Sequence, residues 1–270
     1  MNRVIVSSAF DNIQAEDLRF LQEASKLGEV HVLLWSDEAV TTLTGKAPKF
    51  PYAERLYFVQ AARYVKEVHP GGGDLDACTL PTLGFKPDLW AIQEGTNTAA
   101  RNAFCQTSGI VHHIIANSAI ADFPAPPAQA PTGRKKVVVT GCYDWFHTGH
   151  VAFFEEVSAL GDLHVCLGND ENLCILKGPG HPLFKAPHRL FIAGSIRYVA
   201  QALVSTGSGW MDAENEILNV IKPDMYAVNE DGDKPEKAEF CRQHGIQYVV
   251  LKRVPKKGLV KRSSTDLRGF

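Results

Sequence analysis

Two histidines, His147 and His150, stand three residues apart in the string Thr140-Gly141-Cys142-Tyr143-Asp144-Trp145-Phe146-His147-Thr148-Gly149-His150. Spaced so, they can share one face of a first helical turn. A helix N-terminus presents unpaired N–H groups and a partial positive charge, a setting that suits phosphate. Imidazoles placed there can donate hydrogen bonds to a phosphoryl group whose charge is redistributing. Gly141 and Gly149 are expected to let the backbone approach such a ligand closely. Asp144 is expected to orient the turn or to help place a divalent cation, and no other protein ligand to a metal is expected. The His-x-Gly-His tetrad alone is equally compatible with a pair of surface or capping histidines.

Other residues could hold phosphate. Lys177, in Leu176-Lys177-Gly178-Pro179-Gly180, carries a point charge on a stem long enough to cross a cleft. Ser263, Ser264 and Thr265 precede Asp266-Leu267-Arg268, which reads as a helix start with hydroxyls and N–H groups for phosphate oxygens. They close a basic run, 252–262, for which a solvated loop is the other reading. Arg189 opens a predicted helix, and an internal salt bridge and a phosphate contact are equally open for it.

These side chains need a scaffold. A β-branched run over 136–140 leads into the turn, and Val151, Phe154, Val157 and Leu160 then follow at three-residue steps, an apolar helix stripe. Strands are predicted over 163–167, 199–205, 225–228 and 247–251, and helices over 189–198, 212–220 and 235–243. Such alternation implies βαβ units and a parallel sheet covered by helices. Ligands in such sheets bind beyond the carboxyl ends of the strands, where strand order reverses. The first strand-to-helix turn, 140–150, lies there.

The chain repeats itself. Shifted by 133 positions, Val4-Ile5-Val6-Ser7-Ser8-Ala9-Phe10-Asp11 falls on Val137-Val138-Val139-Thr140-Gly141-Cys142-Tyr143-Asp144, and the match runs on to Gly45 over Gly178. After small slips, Arg55-Leu56 falls on Arg189-Leu190, and Lys86-Pro87-Asp88 on Lys222-Pro223-Asp224. A tandem duplication is expected: a first domain over 1–120, a Pro/Ala-rich extended linker over 121–134 and a second domain over 135–270. The first copy lacks the phosphate-binding residue types. Gln14 and Asp17 replace the histidines, Ser8 and Glu16 the glycines, and Thr44 replaces Lys177. It reads as an inactive twin.

Composition bounds the rest. The chain has 270 residues, and a net charge of −2 argues against broad nucleic-acid binding. No apolar run is long enough for a membrane span. Six scattered cysteines without a C-x-x-C pair read as buried free thiols in a reducing compartment, so a cytoplasmic location is expected. Gly71-Gly72-Gly73-Asp74 is not a dinucleotide fingerprint, which argues against an NAD-type dehydrogenase.

The string Gly141-x-Tyr143-Asp144-x-x-His147-x-Gly149-His150 resembles the signature of the cytidylyltransferase-like nucleotidylyltransferases, at the strand–turn–helix position where that family carries it. The lysine loop 176–180 is similar to those of heptose-phosphate adenylyltransferases and ethanolamine-phosphate cytidylyltransferases. Residues 262–265 resemble a shortened form of the family's closing Arg-x-x-x-Ser/Thr-Ser/Thr motif, and Asn229 and Asp231 stand where it has a Gly-Asp-Asp or Gly-Asn-Asp loop. The resemblance implies two tandem Rossmann-like doubly wound α/β domains. It implies transfer of a nucleoside monophosphate from CTP or ATP, with Mg²⁺, to a small phosphorylated alcohol, polyol or sugar, releasing pyrophosphate. The implied catalytic residues are His147, His150 and Lys177. The implied nucleotide-binding residues are Gly141, Cys142, Tyr143, Asp144, Gly149, Arg189, Asn229, Asp231, Ser263, Ser264 and Thr265. The Ser-Thr-Asp-Leu ending favours CTP. An adenylyltransferase acting on a sugar phosphate and a non-catalytic nucleotide-binding regulator are the rivals. The duplication suggests an intrachain pseudo-dimer that could assemble further.

Overall fold

The computed structural model describes residues 1–71, 80–263 and 267. The chain divides into two compact units, Met1–Phe123 and Pro124–Phe270. In the first, strands β1 (Arg3–Ser8), β2 (Glu29–Trp35), β3 (Val65–Gly71), β4 (Leu89–Gln93) and β5 (Val111–Ile115) alternate with helices α1 (Ala15–Ser25), α2 (Asp37–Thr44), α3 (Tyr52–Ala61) and α4 (Ala99–Ser108). The sheet order is β3-β2-β1-β4-β5, and every pairing is parallel.

The second unit has strands β6 (Lys136–Gly141), β7 (Asp162–Leu167), β8 (Val199–Val204), β9 (Met225–Asn229) and β10 (Gln247–Leu251). Its helices are α5 (Thr148–Leu160), α6 (Asp170–Lys177), α7 (Ala186–Gly194) and α8 (Pro235–Gln243). Its sheet, β10-β9-β6-β7-β8, is again all parallel. Counted within each unit, the two strand orders are identical. Both units are Rossmann-like α/β folds. The central strands explain why: Val4, Ile5 and Val6, and likewise Val137, Val138 and Val139, are fully buried, as a sheet covered on both faces demands.

Several elements depart from the expected bounds. The helix predicted over 189–198 starts earlier, at Ala186, because Pro187 suits a first turn whose N–H groups are unpaired anyway. The segment predicted as a helix over 212–220 is a wide π-helical turn, Glu216–Ile221. Two side chains anchor it to the end of β8. Ser205 donates to Asp212 (2.6 Å), and Glu216 accepts from the Thr206 hydroxyl (2.7 Å). Lys222 then turns left-handed ahead of Pro223, which could not continue a helix. Leu160, counted in the buried stripe of α5, is exposed, whereas Val151, Phe154 and Val157 are fully buried. The Pro/Ala-rich segment is docked rather than loose. Gln129 N–H donates to the Ala200 carbonyl of β8 (2.8 Å), and the Pro126 ring sits against Gly194. Among the described residues no helix is long and apolar enough to cross a membrane. Of the cysteines, Cys105, Cys166 and Cys241 are buried free thiols, but Cys174 is exposed.

Candidate active site

In the second unit the strand order reverses between β6 and β9, so their carboxyl ends diverge and leave a crevice. Thr140 and Gly141 of β6 and Ala227, Val228 and Asn229 of β9 form its floor. The cleft holds about 240 Å³ and is walled by Cys142, Tyr143, Asp144, His147, Gly149, His150, Lys177, Asp231, Lys237 and Arg253. The sequence, with the family resemblance it carries, pointed to all of these wall residues but Lys237 and Arg253.

His147 is the N-cap of α5 and His150 its third residue. Their rings stack with centroids 4.0 Å apart. Nδ1 of His147 accepts the Gly149 N–H (3.0 Å), and Nδ1 of His150 accepts the His147 N–H (3.3 Å). Two orphan donors of the helix start are thus satisfied by imidazoles in place of the usual Ser or Asp. A neutral imidazole that accepts at Nδ1 carries its proton on Nε2. Both rings are therefore held in one tautomer, with Nε2–H as the donor. Burial, then the nearby charges of His147, Arg253 and Lys177, hold His150 well below the usual histidine pKa, so it is neutral near pH 7.

The two glycines line the cleft and also serve the turn itself. A Cβ on Gly149 would lie 2.8 Å from the His147 ring, and a Cβ on Gly141 2.8 Å from the Tyr143 ring. Each glycine makes room for a side chain of the turn. Tyr143 is buried with a left-handed backbone (φ 51°), a shape the surroundings must enforce, and packs edge-on against His150 and Phe154.

With this geometry in view, comparison with known proteins is decisive for the second unit. Residues 138–269 match the family model described as cytidylyltransferase-like. Those residues form a cytidylyltransferase-like domain. Over 136 residues the chain is 33% identical to the Bifunctional protein HldE of Azotobacter vinelandii, covering 49% of this chain and 27% of that protein. Over 142 residues it is 32% identical to the Bifunctional protein HldE of Pseudomonas fluorescens, covering 51% and 28% respectively. The chain thus spans roughly a quarter of the length of these relatives. A crystal structure of the lipopolysaccharide core biosynthesis protein from Thermoplasma volcanium is also similar: 22% identity, TM-score 0.39, 46% of this chain and 100% of that one.

Within the cytidylyltransferase-like domain one predicted contact needs correction. Arg189 does not reach the cleft. Its side chain is wholly buried and donates to the carbonyls of Phe184 (2.9 Å), Cys142 (2.6 Å) and Gly168 (2.8 Å) and to Asp170 (2.7 Å). It is the internal salt bridge of the two readings, and it holds the turn from below. Asp144 borders the cleft, yet its two oxygens accept the Leu183 N–H (3.0 Å) and the Phe184 N–H (2.9 Å). Those bonds fasten the loop between α6 and α7 to the turn, so orienting the turn is a role its geometry shows.

Lys177 ends α6 and faces the same cleft as the histidines. Asn229 ends β9, and Asp231 pairs with Arg253. The basic run lies along the first turns of α5, where Lys252, Arg253 and Arg262 meet Thr148, Gly149 and Phe153. Arg253 also donates to the Arg262 carbonyl (2.8 Å). Ser263 is half-buried beside this run. Ser264 and Thr265 lie outside the described residues.

Sequence reasoning missed Lys237 and Arg253 as individuals. Lys237, on α8, lines the cleft, donates to the Gly232 carbonyl (3.2 Å) and stands over the Tyr226 ring. Desolvation, then Lys234, lowers its pKa. The sequence held the signal: the offset that lays Phe104 on Phe240 also lays Arg101 on Lys237, a cation in both units.

Proposed function

We propose that the second unit is a nucleotidylyltransferase: it transfers a nucleoside monophosphate from CTP or ATP to a small phosphorylated alcohol, polyol or sugar and releases pyrophosphate. The observation that carries this reading is the convergence of two stacked, Nε2-protonated histidines with Lys177, Lys237 and Arg253 in one cleft at the strand-order reversal. An oxygen of the acceptor phosphate attacks the α-phosphorus in line, a new P–O bond forms, and the bond to the β-phosphate oxygen breaks with pyrophosphate taking the electron pair. The chain's task is positioning and charge stabilisation. His147 and His150 donate Nε2–H to the oxygens that gain charge, and the cations hold the triphosphate. Neutral imidazoles can fill this role, because each still carries one N–H to donate.

Mg²⁺ fits this cleft as a companion of the nucleotide. Asp144 and Asp231, the carboxylates lining it among the described residues, are already engaged by backbone N–H groups and by Arg253. The ion would therefore be held by phosphate oxygens and water, and when bound it neutralises triphosphate charge. Ser264 and Thr265 join the proposal on the family's closing motif alone. CTP remains the favoured donor on the same ground, with the lysine loop equally suited to the adenylyl branch. The first unit is proposed to be a non-catalytic twin.

Pyrophosphate release is the test, with CTP and ATP each offered against a panel of phosphorylated amino-alcohols, polyols and sugars and products identified by mass spectrometry. Turnover with one nucleotide and one acceptor class supports the reading. Tight nucleotide binding without turnover on any acceptor would favour the regulator instead.

A further inference from the structure

The first unit carries a cluster of donors that the nucleotide chemistry does not use. His31 lies on β2, and Glu67 and His69 lie two apart on the neighbouring edge strand β3, so both project from one face. An irregularity in the pairing brings His31 into register with Glu67. His31 Nδ1 is 3.1 Å from His69 Nε2, His31 Nδ1 is 3.8 Å from Glu67 Oε2, and His69 Nε2 is 3.6 Å from the same oxygen. A point equidistant from these three atoms lies about 2 Å from each, the length of a zinc–imidazole or zinc–carboxylate bond. Phe85 packs against both imidazoles, with centroids 4.5 Å from His31 and 5.9 Å from His69, and so fixes the rings. Among the described residues this is the group of three whose ligand atoms converge for a metal.

We propose that His31, Glu67 and His69 bind a zinc-class divalent cation, with water completing a tetrahedral shell. Two imidazoles and one carboxylate select a first-row transition ion over Mg²⁺ or Ca²⁺, which prefer oxygen ligands. The position left to water makes the site open rather than closed. Its place on the edge strand ties β3 to β2 through side chains where the sheet has no further neighbour. The second unit supplies an internal control. His164 corresponds to His31, but Gln201 and Leu203 stand in the register positions of Glu67 and His69. An amide and an aliphatic chain remove two of the three ligands, so the site belongs to the first unit alone.

The full chain, stripped with a chelator, would be titrated with Zn²⁺ by calorimetry and with Co²⁺ by visible absorption. One equivalent should bind, with Co²⁺ bands of a tetrahedral nitrogen and oxygen field. Glu67→Gln and His69→Leu should each weaken binding by more than about tenfold. Zinc should raise the melting temperature of the wild type but not of these variants. Glu67 is 61% exposed, so its variant folds, which circular dichroism of the metal-free protein verifies. A double variant, His147→Gln with His150→Gln, should retain the equivalent. Wild type without saturable zinc binding overturns the proposal. So does unchanged affinity in both ligand variants, or loss of the ion in the histidine double variant.

Discussion

Asp11 and Asp144 do the same work in the two units. Each carboxylate accepts two successive backbone N–H groups, from Lys49 (2.8 Å) and Phe50 (2.9 Å) in the first unit and from Leu183 and Phe184 in the second. Arg55 and Arg189 match as closely. Arg55 donates to the carbonyls of Phe50 (3.0 Å) and Ala9 (2.5 Å) and to Asp37 (2.6 Å), the counterparts of Phe184, Cys142 and Asp170. Phe10 repeats the left-handed backbone of Tyr143. Arg101 stands over Trp90 and donates to the Thr96 carbonyl, as Lys237 stands over Tyr226 and donates to the Gly232 carbonyl. These interactions around the turn are thus present in both units.

The units part at the cleft surface. Asp17 takes the place of His150 and accepts the Gln14 N–H (2.8 Å), so the helix cap survives while the imidazole donors are gone. Burial, opposed by the Gln14 hydrogen bond and assisted by Glu16, pushes the Asp17 pKa up to about 6. At pH 7 it is an anion where a triphosphate would need a donor. Trp35 occupies the position of Gly168 and donates to Ser7 (2.8 Å), and the cleft shrinks to about 120 Å³. What the two units share is what the fold needs, and what only one keeps points to chemistry. This is why Arg189 and Asp144, shared, are scaffold, and why His147, His150 and Lys177, unshared, are the proposed machinery.

Substitutions can break or sharpen this division. His150→Ala is expected to lower kcat by about 100- to 1,000-fold, as loss of one transition-state donor does, with an unchanged circular dichroism spectrum. Asp17→Ala in the first unit should leave turnover intact, and a comparable loss there would break the division. Lys177→Ala should raise the nucleotide KM by about tenfold or more through the loss of a phosphate contact, measured by steady-state kinetics, while Thr44→Ala leaves it alone. Gly149→Ala forces the His147 ring aside and should cost about 1–3 kcal/mol in a denaturant titration, together with much of the activity.

The smallest expected effect is a gain. Asp17 has a folded pKa above its unfolded value of 3.8, so its contribution favours the fold at low pH and is lost as pH rises from about 4 to about 6. Asp17→Asn should therefore stabilise the protein by roughly 1–2 kcal/mol at pH 7 and not at pH 4, read from urea midpoints at the two pH values. Equal midpoints at both pH values would show that the carboxylate is not strained.

Much of this was legible in residue order. Strand β10 and helix α8 occur where periodicity and Pro235 place them, and the 140–150 turn was marked by the spacing of its histidines and glycines. Burial was not legible at single charged positions. A buried arginine and a phosphate-binding arginine look alike in a string of letters, and only the four acceptors around Arg189 separate them. The packing role of the glycines was hidden for a related reason: the space beside Gly141 and Gly149 is claimed by rings two residues away, in conformations that local propensity does not foresee. The π-turn over Glu216–Ile221 escaped because its anchors, Ser205 and Thr206, lie outside it in sequence.

On this reading the stacked imidazoles, not the shared scaffold, give the second unit its activity. The decisive experiment writes the first unit's residues into the second, His147→Gln with His150→Asp, and measures pyrophosphate release beside wild type with CTP and with ATP. We expect a folded protein, with the wild-type melting temperature within a few degrees, whose release falls to background. A folded double variant that releases pyrophosphate at the wild-type rate would refute the role of the imidazoles.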